Sequence, residues 1–442
     1  MQIKRIEAHN FRSYNSFSLP INNLGLTLLT GKRNGNDDGL SNGVGKAQPY
    51  SEPVMTPEGI KKMGDLKVGD YVYNRFGKPV KVTNIFEKGK LDAYEVTLRD
   101  GRKIKVNDEH LFSYFAHTYV KGKSKWVLKT VPLRDIIVSG YRKEDNQHKG
   151  CYIYKYSIPL PSAIEYPKKS LAYDPYTLGA FLGDGNLNRE IAYLIVGDHK
   201  LPILSKIVSN NENIKKYHRT SEYNYKYEFV LNTPRAGRRG KEITIAHSID
   251  FGLPNCASQL TEDKRIPDDI FEASIEQRLH LLQGLFDTDG CVQLRKNRSN
   301  TANVSISSVN LTMVKQIQRL LWSLGYGAII SSNDRRGKQH KSSKYVYKSI
   351  EYKIEVIGDL ASIQKLFSLP YHLNKLRQAH ERRKHTDRLP ITNVEKLGYQ
   401  EQMRCIMVDD PEHLYVSGDY FVSHNTSVVF ALTYALYGET PD

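Results

Sequence analysis

Lys46 closes the run Ser41-Asn42-Gly43-Val44-Gly45-Lys46, and Thr426 opens the run Thr426-Ser427-Val428-Val429. Joined directly, they give Gly-Val-Gly-Lys-Thr-Ser followed by an apolar helix from Val428 to Leu436, the pattern of a phosphate-binding loop. Glycine tolerates positive φ, so the N–H groups of Asn42, Gly43 and Gly45 would converge on a β-phosphate. Lys46 would neutralise that phosphate, and Thr426 beside Ser427 would hold magnesium, which makes ATP with Mg2+ the expected ligand. Residues 47–425 separate the two halves. Inside them, Tyr176 to Gly185 and Leu282 to Gly290 are two related apolar segments, each ending in Asp-Gly. Small residues at Gly179 and Gly284 would let two helices pack closely and set Asp184 and Asp289 side by side. Two such carboxylates are expected ligands for a divalent metal, magnesium in the first instance, that activates water for phosphodiester hydrolysis.

The elements that must position these residues differ along the chain. Ile3, Ile6 and Phe11 lie in a strand-like opening, and Leu26-Thr27-Leu28-Leu29-Thr30 is an apolar strand ending in Gly31. From Ala47 short strands and turns recur, as at Met55 to Gly59, Val68 to Tyr73, Gly101 to Phe115 and Arg404 to Asn425. At 442 residues and 39% hydrophobic content the chain is too long for one core and rich enough to fold as several domains. Neither a signal peptide nor a run of eighteen apolar residues is present, so the expected setting is soluble and cytoplasmic, with no membrane partner. Cys151, Cys256, Cys291 and Cys405 stand singly, which argues against zinc ribbons and disulfide frameworks and leaves a nucleophile open. The net charge of +16 favours a polyanionic partner, although basic residues also keep a surface solvated.

The two ends resemble one family. Ile3-Lys4-Arg5-Ile6-Glu7 with Asn10-Phe11-Arg12-Ser13-Tyr14, and Phe430 to Gly438, resemble the DNA-repair ATPases related to SbcC and the structural-maintenance-of-chromosomes proteins. That resemblance implies an α/β P-loop ATPase that pairs with a nuclease subunit. Leu40 stands where the first loop glycine is usual, and residues 32–39 resemble an insertion before the loop. The chain carries one helix beyond the loop and lacks a second nucleotide-binding segment, so by itself it is not expected to hydrolyse ATP.

The interrupting segment resembles an intein, whose splicing domain is an all-β, horseshoe-shaped fold shared with Hedgehog autoprocessing domains. The resemblance rests on the turn and strand near Val68, on Asn107-Asp108-Glu109-His110, on Arg404 to Val408 and on the terminal His424-Asn425 before Thr426. It implies that His110 protonates the amide nitrogen leaving at the upstream junction. It implies that Asn425 closes on its own carbonyl as a succinimide while His424 and His413 polarise that carbonyl and assist proton transfer. Ala47 cannot perform an initial acyl shift. Cys405 matches the position from which a minority class of inteins attacks the upstream carbonyl directly, and Thr426 would then receive the acyl group. That class usually carries tryptophan and threonine where this chain has Phe112 and Ser423. Direct attack by Thr426, or a cysteine replaced by Ala47, remain rival readings.

The Asp-Gly segments resemble the intein-borne LAGLIDADG homing endonucleases. This implies that Lys264, in Asp263-Lys264-Arg265-Ile266-Pro267, stabilises charge in the active site, with Lys375 as a possible second lysine. Leu320 to Gly325 would end a helix of the second repeat. Basic runs at residues 235–241, 335–338 and 382–384 would contact phosphates of double-stranded DNA, at the host-gene site lacking the insert.

The expected organisation is therefore multidomain: residues 1–46 and 426–442 as ATPase fragments, 47–165 and 391–425 as the splicing domain, and 166–390 as an inserted α+β two-repeat endonuclease. The chain would excise residues 47–425 and ligate Lys46 to Thr426, in the cytoplasm of a bacterial host cell, with a phage source in keeping. The alternatives are a trapped or decayed intein and a DNA-repair ATPase with a permanent insertion.

Overall fold

The computed structural model describes residues 5–11, 14–20, 46–120, 123–187, 191–237, 241–254, 263–295, 300–339, 344, 346–381 and 386–424. The chain divides into two compact units, residues 1–45 with 428–442, and residues 46–427. In the first, Arg5–Phe11 pairs antiparallel with Tyr14–Pro20. The strand expected from Leu26, the loop residues Asn42, Gly43 and Gly45, and Asn425, Thr426 and Ser427 all lie outside the described residues.

The second unit is built on two long antiparallel strands, Pro79–Leu98 and Arg388–Val408, far apart in sequence. The end of the first alternates buried and partly solvated residues, as at Val96 and Leu98, the period-2 pattern of a strand with one face on a core, whereas Met403 to Ile406 of the second are buried without a break. Register shifts between Lys396 and Gln400 and between Met403 and Arg404 bend and twist the ribbon. Tyr71–Tyr73, Lys103–Val106, Gln48–Pro49 and Ser157–Pro159 add to it. A second, four-stranded sheet runs Phe421–His424, Leu414–Ser417, Pro53–Thr56, Gly59–Lys62. Ser417 pairs with Val54, so a hairpin from the end of this unit docks on a hairpin from its beginning. The region is built of strands, with one short helix, α1 (Leu133–Ser139), that buries Leu133 and Ile136 among Val96, Phe112 and Ile158.

Among the described residues, the middle of the unit holds six further α-helices, α2 (Pro175–Asp184), α3 (Pro202–Asn210), α4 (Ile275–Asp289), α5 (Leu311–Ser323), α6 (Leu360–Gln364) and α7 (Pro370–Arg377). Each of α2 and α4 is started by a cap and runs directly into a strand. Asp174 accepts from Thr177 N at 2.7 Å, and Ser274 forms a capping box with Gln277. Gly185–Leu187 opens a five-stranded sheet and Gly290–Arg295 a four-stranded one. The helix expected near Leu320 is α5. It buries Met313, Val314, Ile317, Leu320 and Leu321 on one face and is followed by Gly325 at φ +85°.

Helices α2 and α4 touch through their backbones. A Cβ on Gly284 would lie 2.2 Å from Tyr176 O and 2.6 Å from Ala180 N, and one on Gly179 would lie 2.1 Å from Leu281 O. Neither neighbour is a flexible side chain that can swing aside. Gly284→Ala is therefore expected to cost about 1–3 kcal/mol of stability, by the general penalty for overpacking. Urea unfolding that leaves the midpoint unchanged would contradict this contact.

Candidate functional site

Two clusters of reactive side chains form in the second unit. The first lies where its two ends meet. Met403 pairs with Pro49 and Arg404 with Gln48, and one further step of that antiparallel register would set Cys405 opposite Ala47. Ala47 is buried beside Ala93 and Met403, and Cys405 is also buried, with Sγ 3.5 Å from Ile406 O. The amide of Ala47, the nitrogen of the Lys46–Ala47 bond, donates to Asn107 Oδ1 at 2.9 Å, and Asn107 N returns a bond to Ala47 O at 3.2 Å. The group holding the expected scissile nitrogen is thus Asn107, with His110 one turn further along the same loop.

His110 is fully enclosed. Nε2 shares a hydrogen bond of 2.9 Å with Ser423 Oγ, its backbone N–H donates to Asn107 O, and its ring packs edge-on against Phe112. Phe112 in turn packs edge-on against Phe421. Burial, reinforced by the Lys46 charge, drives the His110 pKa down to about 3, so the imidazole is neutral at physiological pH. A neutral ring whose Nδ1 has no hydrogen-bond partner has a lone pair or a proton to offer. Gln48 extends the network. It donates to Ser417 Oγ at 2.8 Å and Ser423 Oγ at 3.3 Å, and it accepts from the Tyr415 hydroxyl at 2.7 Å. His413, at φ +57°, and His424 place their rings 6.3 Å apart at the end of the Leu414–Ser417 hairpin. Gln48 and Tyr415 carry no motif signal, because their partners come from the opposite end of the unit.

The second cluster sits at the C-terminal ends of α2 and α4. Asp184 and Asp289 face each other closely enough that burial first, and the Asp184 charge second, hold the Asp289 carboxyl up to about 7. Lys200 donates to Asp184 Oδ2 at 3.1 Å and also to the Thr288 carbonyl. Nothing local in the sequence marks Lys200, which follows a strand pair and a short turn. Lys264 is buried behind the pair. Its ammonium donates to the carbonyls of Phe181, Leu182, Gly183 and Gly185 at 2.9 to 3.1 Å. The lysine expected to stabilise charge among the carboxylates therefore caps the end of α2, where the orphan carbonyls and helix dipole favour a cation. Asp287 serves a third purpose. It accepts from Ser368 N at 2.9 Å, Leu369 N at 3.2 Å and the Tyr176 hydroxyl at 2.8 Å, fixing the start of α7. Lys375 lies on α7 and donates to the Tyr371 hydroxyl.

Two carboxylates held side by side, with solvent still reaching both, fit a hard divalent cation, which would relieve their repulsion. Among the described residues no group of three or more His, Cys, Asp or Glu gathers, so Asp184 and Asp289 are the acidic donors available. Of the basic residues expected on phosphates, Arg235 pairs with Asp250, Arg335 with Glu351 and Arg336 with Asp334, while residues 382–384 lie outside the described residues.

Residues 276–368, from α4 through the second sheet to the threshold of α7, match the model of the LAGLIDADG-like domain. The chain carries a LAGLIDADG-like domain. Over 408 residues, 87% of its length, it is 26% identical to a replicative DNA helicase, DnaB, of Mycobacterium intracellulare, and it spans 59% of that protein. Among solved structures it is similar to the gp41-1 intein, at 32% identity over 20% of this chain and 80% of that one, with a TM-score of 0.15. It is also similar to variants of the homing endonuclease I-DmoI, at 14% identity over 47% of this chain and 97% of that one, with a TM-score of 0.26. No described helix is long and apolar enough to cross a membrane.

Two outcomes follow from the electrostatics. The unfolded chain holds the His110 proton below about 6.5 while the folded chain releases it down to about 3, so stability is lost as pH falls through that window. Urea titrations between pH 6.5 and 5 should show a slope of up to about 1.4 kcal/mol per pH unit that shrinks in His110→Asn, and an equal slope in both would contradict it. Asp289→Asn should raise the melting temperature in magnesium-free buffer at pH 8 and remove any shift on adding Mg2+. A lowered temperature with the Mg2+ shift intact would show that the two carboxylates do not form the cation site.

Proposed function

We propose that residues 47–425 are a self-splicing intein carrying a double-strand DNA endonuclease, and that excision joins Lys46 to Thr426. The observation that supports this most is the meeting of the two ends, with Arg404, the neighbour of Cys405, paired with Gln48, the neighbour of Ala47, and the Ala47 amide held by Asn107. In the proposed sequence Cys405 Sγ attacks the Lys46 carbonyl, forming a C–S bond as the bond to Ala47 N breaks. The thiol proton passes to that nitrogen, with the neutral His110 ring and Asn107 as the nearest polar groups. The Thr426 hydroxyl then displaces the sulfur, and its proton returns to Cys405. Asn425 Nδ2 attacks its own carbonyl and expels the Thr426 amine, leaving a succinimide, with His424 and His413 assisting. The freed amine takes the acyl group from the Thr426 oxygen, and the amide Lys46–Thr426 results.

For the endonuclease, Asp184 and Asp289 would hold magnesium, which when bound supplies an activated water and stabilises the leaving oxygen. Lys200 holds Asp184 in place, Lys264 fixes the end of α2, and the paired helices would hold the carboxylates at one point for two DNA strands. A cut at the uninterrupted host gene is the homing reading. The restored loop would bind ATP with Mg2+ in a SbcC-like host ATPase that works with a nuclease subunit.

Intact-mass analysis of the freshly expressed chain beside Asn425→Ala tests the reading. An excised product of residues 47–425 and a joined flank reading Gly-Lys-Thr-Ser are expected from the first and not the second. A stable full-length chain from both would overturn splicing and favour a permanent insertion. The same sample with Mg2+ should linearise a plasmid carrying the uninterrupted coding sequence, and Asp184→Asn should slow this at least 100-fold.

A further inference from the structure

The splicing and LAGLIDADG regions share a continuous core. Met55, Tyr73, Val416 and Tyr420 belong to the same cluster of buried side chains as Leu282, Leu320, Trp322 and Ile354. At the centre of this contact lies an ion pair that neither proposed reaction uses. Arg102 and Asp100, in the turn before Lys103–Val106, are both wholly shielded from solvent, with Arg102 Nε 3.0 Å from Asp100 Oδ2. A guanidinium without solvent must have its donors filled by the protein. Arg102 Nη1 donates to the Tyr420 carbonyl at 3.2 Å, Nη2 donates to the Tyr326 carbonyl, and the guanidinium lies 5.3 Å over the Trp322 ring. From α5, Gln318 Nε2 closes the arrangement, donating to Asp100 O at 2.9 Å and Ala328 O at 2.8 Å.

One arm of this fork therefore holds the turn after α5, and the other holds the turn before Phe421–His424. That second turn is held against its own preference. Tyr420 has φ +56°, a left-handed conformation that a bulky side chain rarely adopts and that persists only where its surroundings over-determine it. Its neighbours are pinned as well. Asp419 Oδ2 accepts from Lys103 N at 3.1 Å, and a Cβ on Gly418 would lie 2.6 Å from Lys103 O. The strand that starts here carries Ser423, the partner of His110, and ends at His424, next to Asn425.

We propose that Arg102, oriented by Asp100 and Gln318, is a positioning residue for the downstream cleavage, so that the LAGLIDADG region sets the geometry of the strand Phe421–His424, which leads to the downstream junction, through the Tyr420 turn. This rests on the splicing reading above. The upstream step draws chiefly on the Asn107–Ala47 clamp and the pairing of Gln48 with Arg404, which Arg102 does not touch, and meets this strand only through Ser423, the partner of His110 and Gln48. The two steps therefore respond differently to its loss.

The test uses the full chain with Arg102→Met, and with Gln318→Met, which breaks the bridge from the α5 side without stranding a charge. Upstream thioester formation is read as thiol-induced cleavage after Lys46, and downstream cleavage as release of the segment beginning at Thr426. Downstream cleavage is expected to slow at least tenfold in Arg102→Met and several-fold in Gln318→Met, with the upstream rate within twofold of wild type. Equal losses at both junctions would assign the pair a general structural role, and unchanged rates would remove any role, so either overturns the proposal. Hydrogen exchange of residues 419–424 in the same variants decides the matter independently of splicing. Faster exchange confined to residues 419–424 and 326–328 is expected, and unchanged exchange in Gln318→Met overturns the coupling. A wild-type chain that does not splice, yet shows this exchange change, would defeat the splicing reading and leave the structural coupling standing.

Discussion

The antiparallel register of Pro79–Leu98 with Arg388–Val408 is the constraint on which the rest of the second unit depends. It fixes where Met403 and Arg404 meet Pro49 and Gln48, and hence what stands opposite Ala47. A slip of one residue would turn every side chain of the strand to the other face and carry Cys405 away from the junction. The register is well specified because both ends of the ribbon bury apolar residues, Val82 with Ile406 and Val408 at one end and Val96 and Leu98 with Ile391 at the other. Register shifts along the ribbon, in the solvated stretch from Lys396 to Gln400 and also beside buried Ile391, Met403 and Val408, accommodate its twist.

Burial sets the chemistry available at each cluster. At the first, excluding water keeps His110 uncharged and leaves Ser423, Gln48, Ser417 and Tyr415 to satisfy one another. A network of this kind is rigid when complete and costly when one member is lost. At the second, burial and the neighbouring Asp184 charge hold the Asp289 carboxyl up, and the close approach at Gly179 and Gly284 keeps the two helix ends together. The strain is local, and the capping lysine and Lys200 offset part of it. Both clusters thus depend on backbone packing at a distance from the reactive atoms.

Much of the second cluster was legible in the sequence, because a repeated motif states both the helix-packing glycines and the terminal acid. The roles of single charged residues were less so. Lys264 announces a cation, but only the fold shows that it binds the carbonyls closing α2, and Lys200 reaches Asp184 from across a strand pair. Asp287 sits within the motif and serves the start of α7, a contact that depends on a segment far along the chain. In the first cluster, His110, His413, His424 and Cys405 were marked by their motifs, whereas Gln48, Tyr415 and Arg102 were not, since each acts through residues hundreds of positions away. The helix α1 was missed because its seven residues sit inside a stretch dominated by strand-forming patterns.

The central claim is that the fold delivers the carbonyl of Lys46 to Cys405. Hydroxylamine treatment of Asn425→Ala, which retains any upstream intermediate, followed by peptide mass spectrometry, tests it most directly. The account predicts a hydroxamate on Lys46 that disappears in the double variant with Cys405→Ala. A hydroxamate that persists without Cys405, as an ester on Thr426 would give, or none in either chain, would contradict it.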